Sequence, residues 1–220
     1  MSSVPNEPME YYDGVSIVER PSVAKTIASR VAFPVLALLS REQSYKLHLT
    51  PIDDERVIMA LKHAKGKVLD IGCGSNTFVR SHGEGTGVDV APWKGCDVVV
   101  EDAAKLPFEN DAYDTVSYLA CLNHIPNRDD VVKEGFRVTK PGGGVLVTMI
   151  PPRLGSFIHW LRERNDPDHK QRHIDHAHEL MGMSRQHVTR ILKDAGYTDI
   201  RSRAFVFGLN RIFIAEKPTS

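Results

Sequence analysis

The chain has 220 residues, with 28 Lys+Arg against 28 Asp+Glu and a formal net charge of zero. That length suits one domain, or one domain with an added subdomain, and the charge balance lacks the electrostatic footprint of a general nucleic-acid binder. No apolar run is long enough to span a bilayer, and three cysteines without metal-knuckle or disulfide-framework spacing fit a reducing compartment, so a cytoplasmic location is expected.

Met1 to Glu10 is polar, holds two prolines and has no signal-peptide h-region. Residues 1–13 read as a disordered or ligand-ordered tail, in which Tyr11 and Tyr12 are candidates for a lid. The competing reading is a mobile tail. From about Pro21 to Ser44 the pattern is helical, with a kink expected near Pro34. Its most apolar stretch, Val31 to Leu39, fits a core helix better than a membrane-surface helix or a dimer face. A second helix is expected to start at Thr50, with Thr50 as N-cap, Pro51 at the first helical position, and Asp53 and Asp54 complementing the dipole. Ile52, Val57, Ile58 and Leu61 recur at helical spacing, and Gly66 suits the end of this helix.

Lys67-Val-Leu-Asp-Ile-Gly-Cys-Gly74 is the most informative stretch. Val68, Leu69 and Ile71 form a short apolar run that reads as a buried strand. Asp70 sits near its end, and Gly72 and Gly74 follow at once. A strand running into glycines places bare backbone at the carboxyl edge of a sheet, where open α/β folds bind ligands. A helical turn is expected around Thr77 to Ser81, then strands at Gly85–Val90, Asp97–Val100 and Asp114–Leu119. A helix follows over Arg128–Val138, then a turn at Lys140-Pro-Gly-Gly-Gly144 and a fifth strand over Val145–Ile150. Ser184 caps a helix running through Ala195, Gly196 ends it, and Ile200–Phe207 and Arg211–Glu216 read as strands joined by a short turn. Strands alternating with helices at this pace imply an α/β fold with a doubly wound, mainly parallel sheet, and the short last turn forces an antiparallel pair.

Which ligand meets the glycines is narrowed by spacing. A dinucleotide fingerprint needs a third glycine, and Thr77 stands there; a P-loop needs Gly-Lys-Ser/Thr, which is absent. The remaining pattern, an acid followed by Gly72 and Gly74, resembles the first motif of class I S-adenosylmethionine-dependent methyltransferases. Many members have a third glycine where this chain has Asn76, and Asn tolerates left-handed backbone better than most residues. Gly87-Val-Asp89, Asp102-Ala-Ala-Lys-Leu-Pro-Phe108, Asn123-His-Ile125 and Phe136-Arg-Val-Thr-Lys-Pro-Gly-Gly143 follow in the order of the small-molecule methyltransferase subgroup. The resemblance covers roughly residues 60–217. It implies a Rossmann-like, seven-stranded sheet with helices on both faces, closed by a C-terminal antiparallel hairpin.

The resemblance also implies roles. S-adenosylmethionine would be the cofactor and S-adenosylhomocysteine the product. Asp70, Gly72, Cys73 and Gly74 would form the cofactor turn. Asp89, with Val90 beside it, lies 19 positions beyond Asp70 and would accept ribose hydroxyls, against a plain turn-capping reading. Asp102 and the Ala103 backbone would meet the adenine, with a helix N-cap as the other reading of Asp102. Ala120 and Cys121 would hold the methionine end through backbone groups. Cys73 and Cys121 are read as packing residues.

His124 is the candidate general base and Asn123 the candidate for orienting substrate. The individual segment 151–183 sits where substrate-covering insertions belong. It holds His159, His169, His173, His176 and His178 with Trp160 and several arginines. His173 and His176 share a helix face and are read as substrate-recognising rather than metal-binding, because the ligand set is incomplete. The expected division is a helical cap or lid over residues 1–64 and a methyltransferase domain over 65–220. The leading function is methyl transfer to an O or N nucleophile of a small molecule, by a monomer or homodimer without nucleic-acid partners. The alternatives are a protein, lipid or tRNA methyltransferase, a non-catalytic scaffold of the same fold, and a nicotinamide oxidoreductase.

Overall fold

A computed structural model describes Val18, residues 22–24 and 27–28, residues 41–152, Leu180 and residues 182–219. Tyr11, Tyr12 and most of the 1–40 segment lie outside the described residues, as do His159, His169, His173, His176 and His178.

Helix α1 (Arg41–Lys46) precedes α2 (Ile52–Leu61). The start of α2 differs from expectation. Pro51 rather than Thr50 occupies the cap position, with no side-chain cap bond, because a proline that closes the preceding extended segment (ψ 153°) already sets the entry angle. The helix ends at Leu61, before Gly66, and Gly66 instead takes φ +55° in the turn entering the sheet.

The strands are β1 (Val68–Ile71), β2 (Gly85–Asp89), β3 (Val98–Val99), β4 (Tyr113–Leu119), β5 (Thr139–Met149), β6 (Thr198–Phe205) and β7 (Asn210–Glu216). Helices α3 (Thr77–His82), α4 (Arg128–Val138) and α5 (Arg185–Ala195) connect them. All seven strands form one sheet in the order β3-β2-β1-β4-β5-β7-β6. Strands β1 to β5 pair in parallel, and β7 is antiparallel to both β5 and β6. This is the doubly wound sheet with a terminal hairpin that the sequence pattern implies.

The Lys140–Gly144 turn is absorbed into β5. Tyr113 still pairs with Thr139 and Thr115 with Gly144, so the intervening residues bulge out of the ladder. The bulge is held by two bonds to the chain end, Gly142 N to Lys217 O at 2.8 Å and Lys217 N to Gly143 O at 2.9 Å.

The sheet divides two cores. On one face Leu69, Ile71, Val116, Tyr118, Val145 and Val147 pack against α4 and α5 through Val131, Val132, Val188, Ile191 and Leu192. On the other, Val57, Ile58 and Ala60 of α2 and Phe78 and Val79 of α3 cover Val68 and Leu146. Helix α2 therefore shares a core with the sheet. Helix α5 begins as expected, with Ser184 Oγ accepting from His187 N at 3.1 Å and Gly196 closing it at φ +109°.

Candidate cofactor and acceptor site

The strand order runs outward in both directions from the β1–β4 pair. That reversal opens a crevice at the carboxyl ends of the two strands, the usual ligand position in open α/β sheets. The polypeptide turns around this point are shaped by left-handed residues. Gly72 (φ +75°) and Gly74 (φ +51°) follow β1, Asn76 (φ +61°) caps α3, and Ala120 (φ +57°) follows β4. Asn76 thus takes the left-handed conformation expected of it. A Cβ on Gly72 would lie 2.7 Å from Cβ of Cys121, whereas one on Gly74 would meet nothing within 4 Å. Gly72 is required by packing across the crevice. Gly74 faces open space, which is the cradle a cofactor lying on bare backbone needs.

Two carboxylates, Asp70 and Asp89, flank this turn. Asp70 is buried in β1, and Ser117 Oγ of β4 donates to its Oδ1 at 2.6 Å. Burial pushes its pKa up to about 7, opposed by the Ser117 bond and assisted by the nearby charge of Asp89. Asp89 ends β2. Its Oδ2 accepts from Gly74 N at 2.9 Å and its Oδ1 from Ala91 N at 3.1 Å, and the Val90 N–H and Trp93 side chain also donate. Burial raises its pKa while these donors lower it. The capping reading of Asp89 therefore describes a real set of contacts, and a ribose would exchange with one of these donors. Val90 beside it is 53% exposed. Its apolar surface, with that of Val99 on β3, lies open at the crevice end of the sheet edge.

Asp102 follows β3, where Oδ1 accepts from Ala104 N at 2.9 Å and Asn127 Nδ2 at 3.1 Å. These bonds hold its pKa below the usual carboxylate range. No helix follows Asp102, so it closes an Asx-type turn rather than capping a helix. Ala103 beside it is buried. Cys121 Sγ contacts Ile71 O at 3.0 Å, and burial pushes its thiol up. The Cys73 thiol is pushed up as well, by a hydrogen bond with Cys96 and by burial. Both stay protonated, as packing residues do.

Asn123 and His124 lie on a 3₁₀ turn (Leu122–His124) directly after β4. The Asn123 amide donates to Leu180 O at 3.2 Å, and its Nδ2 lies 2.9 Å from His124 Nε2. Leu180 N returns a bond to Asn123 O at 3.0 Å. Because a backbone carbonyl only accepts, the Leu180 contact fixes which end of the amide faces it. The same amide nitrogen then donates to His124, leaving the ring proton on Nδ1. Asn123 is thus anchored to the protein through its side chain and positions His124.

Sequence reading missed several partners. Ser117 is one, and its signal was a polar residue inside an otherwise buried strand. The Asn76 amide is another. It donates to Asp97 Oδ2 at 2.7 Å and Gly95 O at 3.0 Å, and the same Asp97 oxygen accepts from Gly87 N at 2.7 Å. This clamp ties the glycine turn to the β2–β3 connection.

A parallel sheet with a glycine turn, strand-end carboxylates and a crevice between β1 and β4 defines a Rossmann-like protein built to hold a nucleoside-bearing cofactor. Comparison with known sequences makes the class specific: the chain belongs to the methyltransferase domain family, which matches residues 47–202. Members of this class use S-adenosylmethionine as methyl donor.

A ubiquinone biosynthesis O-methyltransferase of Marinobacter nauticus is 27% identical over 219 residues, covering 80% of this chain and 90% of its own. A sterol 4-C-methyltransferase of Caenorhabditis elegans is 35% identical over 98 residues, but this covers 36% of this chain and only 29% of that protein. Among solved structures, a SAM-dependent methyltransferase of Thermotoga maritima aligns with TM-score 0.60 at 14% identity over 88% of this chain and 97% of its own. A Haloferax volcanii methyltransferase solved with a methyltransferase activator aligns with TM-score 0.61 at 17% identity over 84% of this chain and 97% of its own. At these identities the structural likeness is one of fold.

Proposed function

We propose that the chain transfers a methyl group from S-adenosylmethionine to an oxygen or nitrogen of a small molecule, by in-line displacement. The observation that carries this reading is the open cradle above Gly74, walled by Asp70 and Asp89. Its chemistry fits the cofactor: carboxylates for an ammonium and ribose hydroxyls, an exposed apolar edge at Val90 for an adenine face, and no phosphate-binding loop. The match across nine-tenths of a ubiquinone biosynthesis O-methyltransferase supports a small acceptor over a macromolecular one.

When bound, S-adenosylmethionine supplies a methyl group activated by its sulfonium charge. The chain's own residues do the remaining work. Gly72, Gly74 and Ala120 present main-chain groups at the switch point. Asp70 takes up positive charge in a site that water does not reach. Asp89 and Asp102 set the position of the nucleoside. Orientation of the two reactants supplies most of the acceleration. His124, with its proton on Nδ1, takes the proton of a hydroxyl acceptor at Nε2, the acceptor hydroxyl replacing the Asn123 amide there. His173 and His176 belong to the acceptor-covering segment in this reading.

The test is calorimetric titration with S-adenosylmethionine, S-adenosylhomocysteine and NAD(H), followed by transfer of a labelled methyl group to a panel of hydroxylated and amino compounds. Binding of the sulfonium pair but not NAD(H), with label appearing in a small acceptor, is the expected result. Binding without transfer to any acceptor, including protein, lipid and tRNA, would favour a scaffold instead.

A further inference from the structure

The face of the sheet that packs on α2 carries a row of polar side chains rising toward the carboxyl edge. Asp70 of β1 pairs with Ser117 of β4, Leu119 is level with Thr148 of β5, and Thr148 is level with Ile212 of β7. Asn210 stands two residues further along β7 on the same face. By strand geometry Thr148 and Asn210 are diagonal neighbours about 7–8 Å apart. Both are fully buried, and the Thr148 hydroxyl and the Asn210 Nδ2 have no hydrogen-bond partner among the described residues.

Buried polar atoms without partners are rare and costly. Two of them, diagonal neighbours on one face of the sheet beside the crevice, are spaced so that one small molecule would satisfy both. Thr148 is at that crevice, since its carbonyl accepts from Ala120 N at 3.1 Å.

The chemistry of the missing partner follows from Arg56. Its Nε donates to Asn210 Oδ1 at 3.1 Å. A guanidinium can only donate, so the amide oxygen must face it and the NH2 end must point away. What Asn210 offers a ligand is therefore a pair of N–H donors. Asp53 lies 2.5 Å from Arg56 and balances its charge, so nothing here demands an anion. Of the two unpartnered groups, the Asn210 amide nitrogen only donates, whereas the Thr148 hydroxyl can both donate and accept.

We propose that Thr148 and Asn210 form the acceptor-recognition subsite, and that it takes a neutral molecule bearing a carbonyl oxygen close to the hydroxyl that is methylated. The carbonyl receives the Asn210 N–H groups and the Thr148 hydroxyl bonds the adjacent oxygen. This rests on the methyltransferase reading and narrows its acceptor class.

The experiment uses the full chain saturated with S-adenosylhomocysteine, titrated with dihydroxyacetophenone and with catechol, which has the same hydroxyls but no carbonyl. The wild type should bind the ketone at least about tenfold more tightly, the discrimination expected of a site built around hydrogen bonds. Asn210→Asp keeps the oxygen that Arg56 needs but replaces the donor with an acceptor, and should abolish the preference. Thr148→Val removes an unpartnered hydroxyl without changing shape. It should weaken ketone binding while Tm holds or rises by about 2–4 °C, so that the lost binding is not a lost fold; an idle buried threonine would leave ketone binding unchanged.

Unchanged preference in both variants would overturn the proposal, as would a lowered Tm in Thr148→Val or binding of neither probe to the wild type. S-adenosylhomocysteine affinity, measured in the same titrations, separates these failures from failure of the methyltransferase reading itself.

Discussion

The backbone N–H of Gly74 donates to Oδ2 of Asp89 at 2.9 Å, which makes the glycine turn after β1 and the carboxylate at the end of β2 one mechanical unit. In the proposed reading, the methionine and ribose ends of the cofactor would be set by the same bond. Asn76 and Asp97 brace that unit from below.

Asp89→Ala removes the acceptor for Gly74 and, in the proposed reading, the ribose contact with it. Affinity for S-adenosylhomocysteine should fall by at least about tenfold, the scale of one or two hydrogen bonds to a charged group, as read by calorimetry. A change smaller than about threefold would show that Asp89 serves only the turn.

The two glycines of the turn should respond differently. Gly72→Ala places a Cβ against Cys121 at 2.7 Å and should lower Tm and cofactor affinity together. Gly74→Ala meets nothing within 4 Å, so its folding cost is the left-handed strain alone, about 1–2 kcal/mol. Its methyl intrudes on the cofactor cradle, and affinity should fall by more than that strain explains. Thermal melts with and without S-adenosylhomocysteine distinguish the two.

Asp70 predicts an opposed pair of pH dependences. Its pKa in the free protein is about 7 against an ordinary 3.8, so between these values the folded state holds a proton that the unfolded state has lost. The stabilising effect is fully present below about pH 4 and is lost as pH rises through about 7, with a slope of up to about 1.4 kcal/mol per pH unit. A cationic methyl donor prefers the ionised carboxylate. Its affinity should therefore rise by up to about tenfold per unit as pH climbs toward 7, then level off. Asp70→Asn should flatten both profiles, which denaturant melts and titrations at several pH values would reveal.

Asn123→Ala frees the His124 ring and cuts the side-chain tie to Leu180. Cofactor affinity should hold within about twofold, while kcat for a hydroxyl acceptor falls by about ten- to a hundredfold. His124→Ala should cost about 10² to 10⁴ in kcat if His124 is the base, with loss of the acidic limb of the pH–rate profile. A loss below about fivefold with the limb intact would leave only orientation to these residues.

Some features of this protein are local, and the sequence alone determined them. The apolar run Val68–Ile71, the glycines after it, the left-handed Asn76, the Arg128–Val138 helix and the Ser184 cap each depend on neighbours within a few residues. Backbone sterics and capping chemistry act over that range, so their signals survive in the linear pattern, and the order of the motifs was enough to indicate the cofactor.

The tertiary structure decided the rest. The Lys140–Gly144 turn became a bulge because Thr139 and Gly144 are both held by β4. Ser117 reaches Asp70 across 47 positions, Asn123 reaches Leu180 across 57 and Arg56 reaches Asn210 across 154. Such partners meet only when strands order themselves as β1-β4-β5-β7 and bury their polar side chains together. Once water is excluded, each buried group must find a bond or be left without one, and which of the two occurs is a property of the packed sheet.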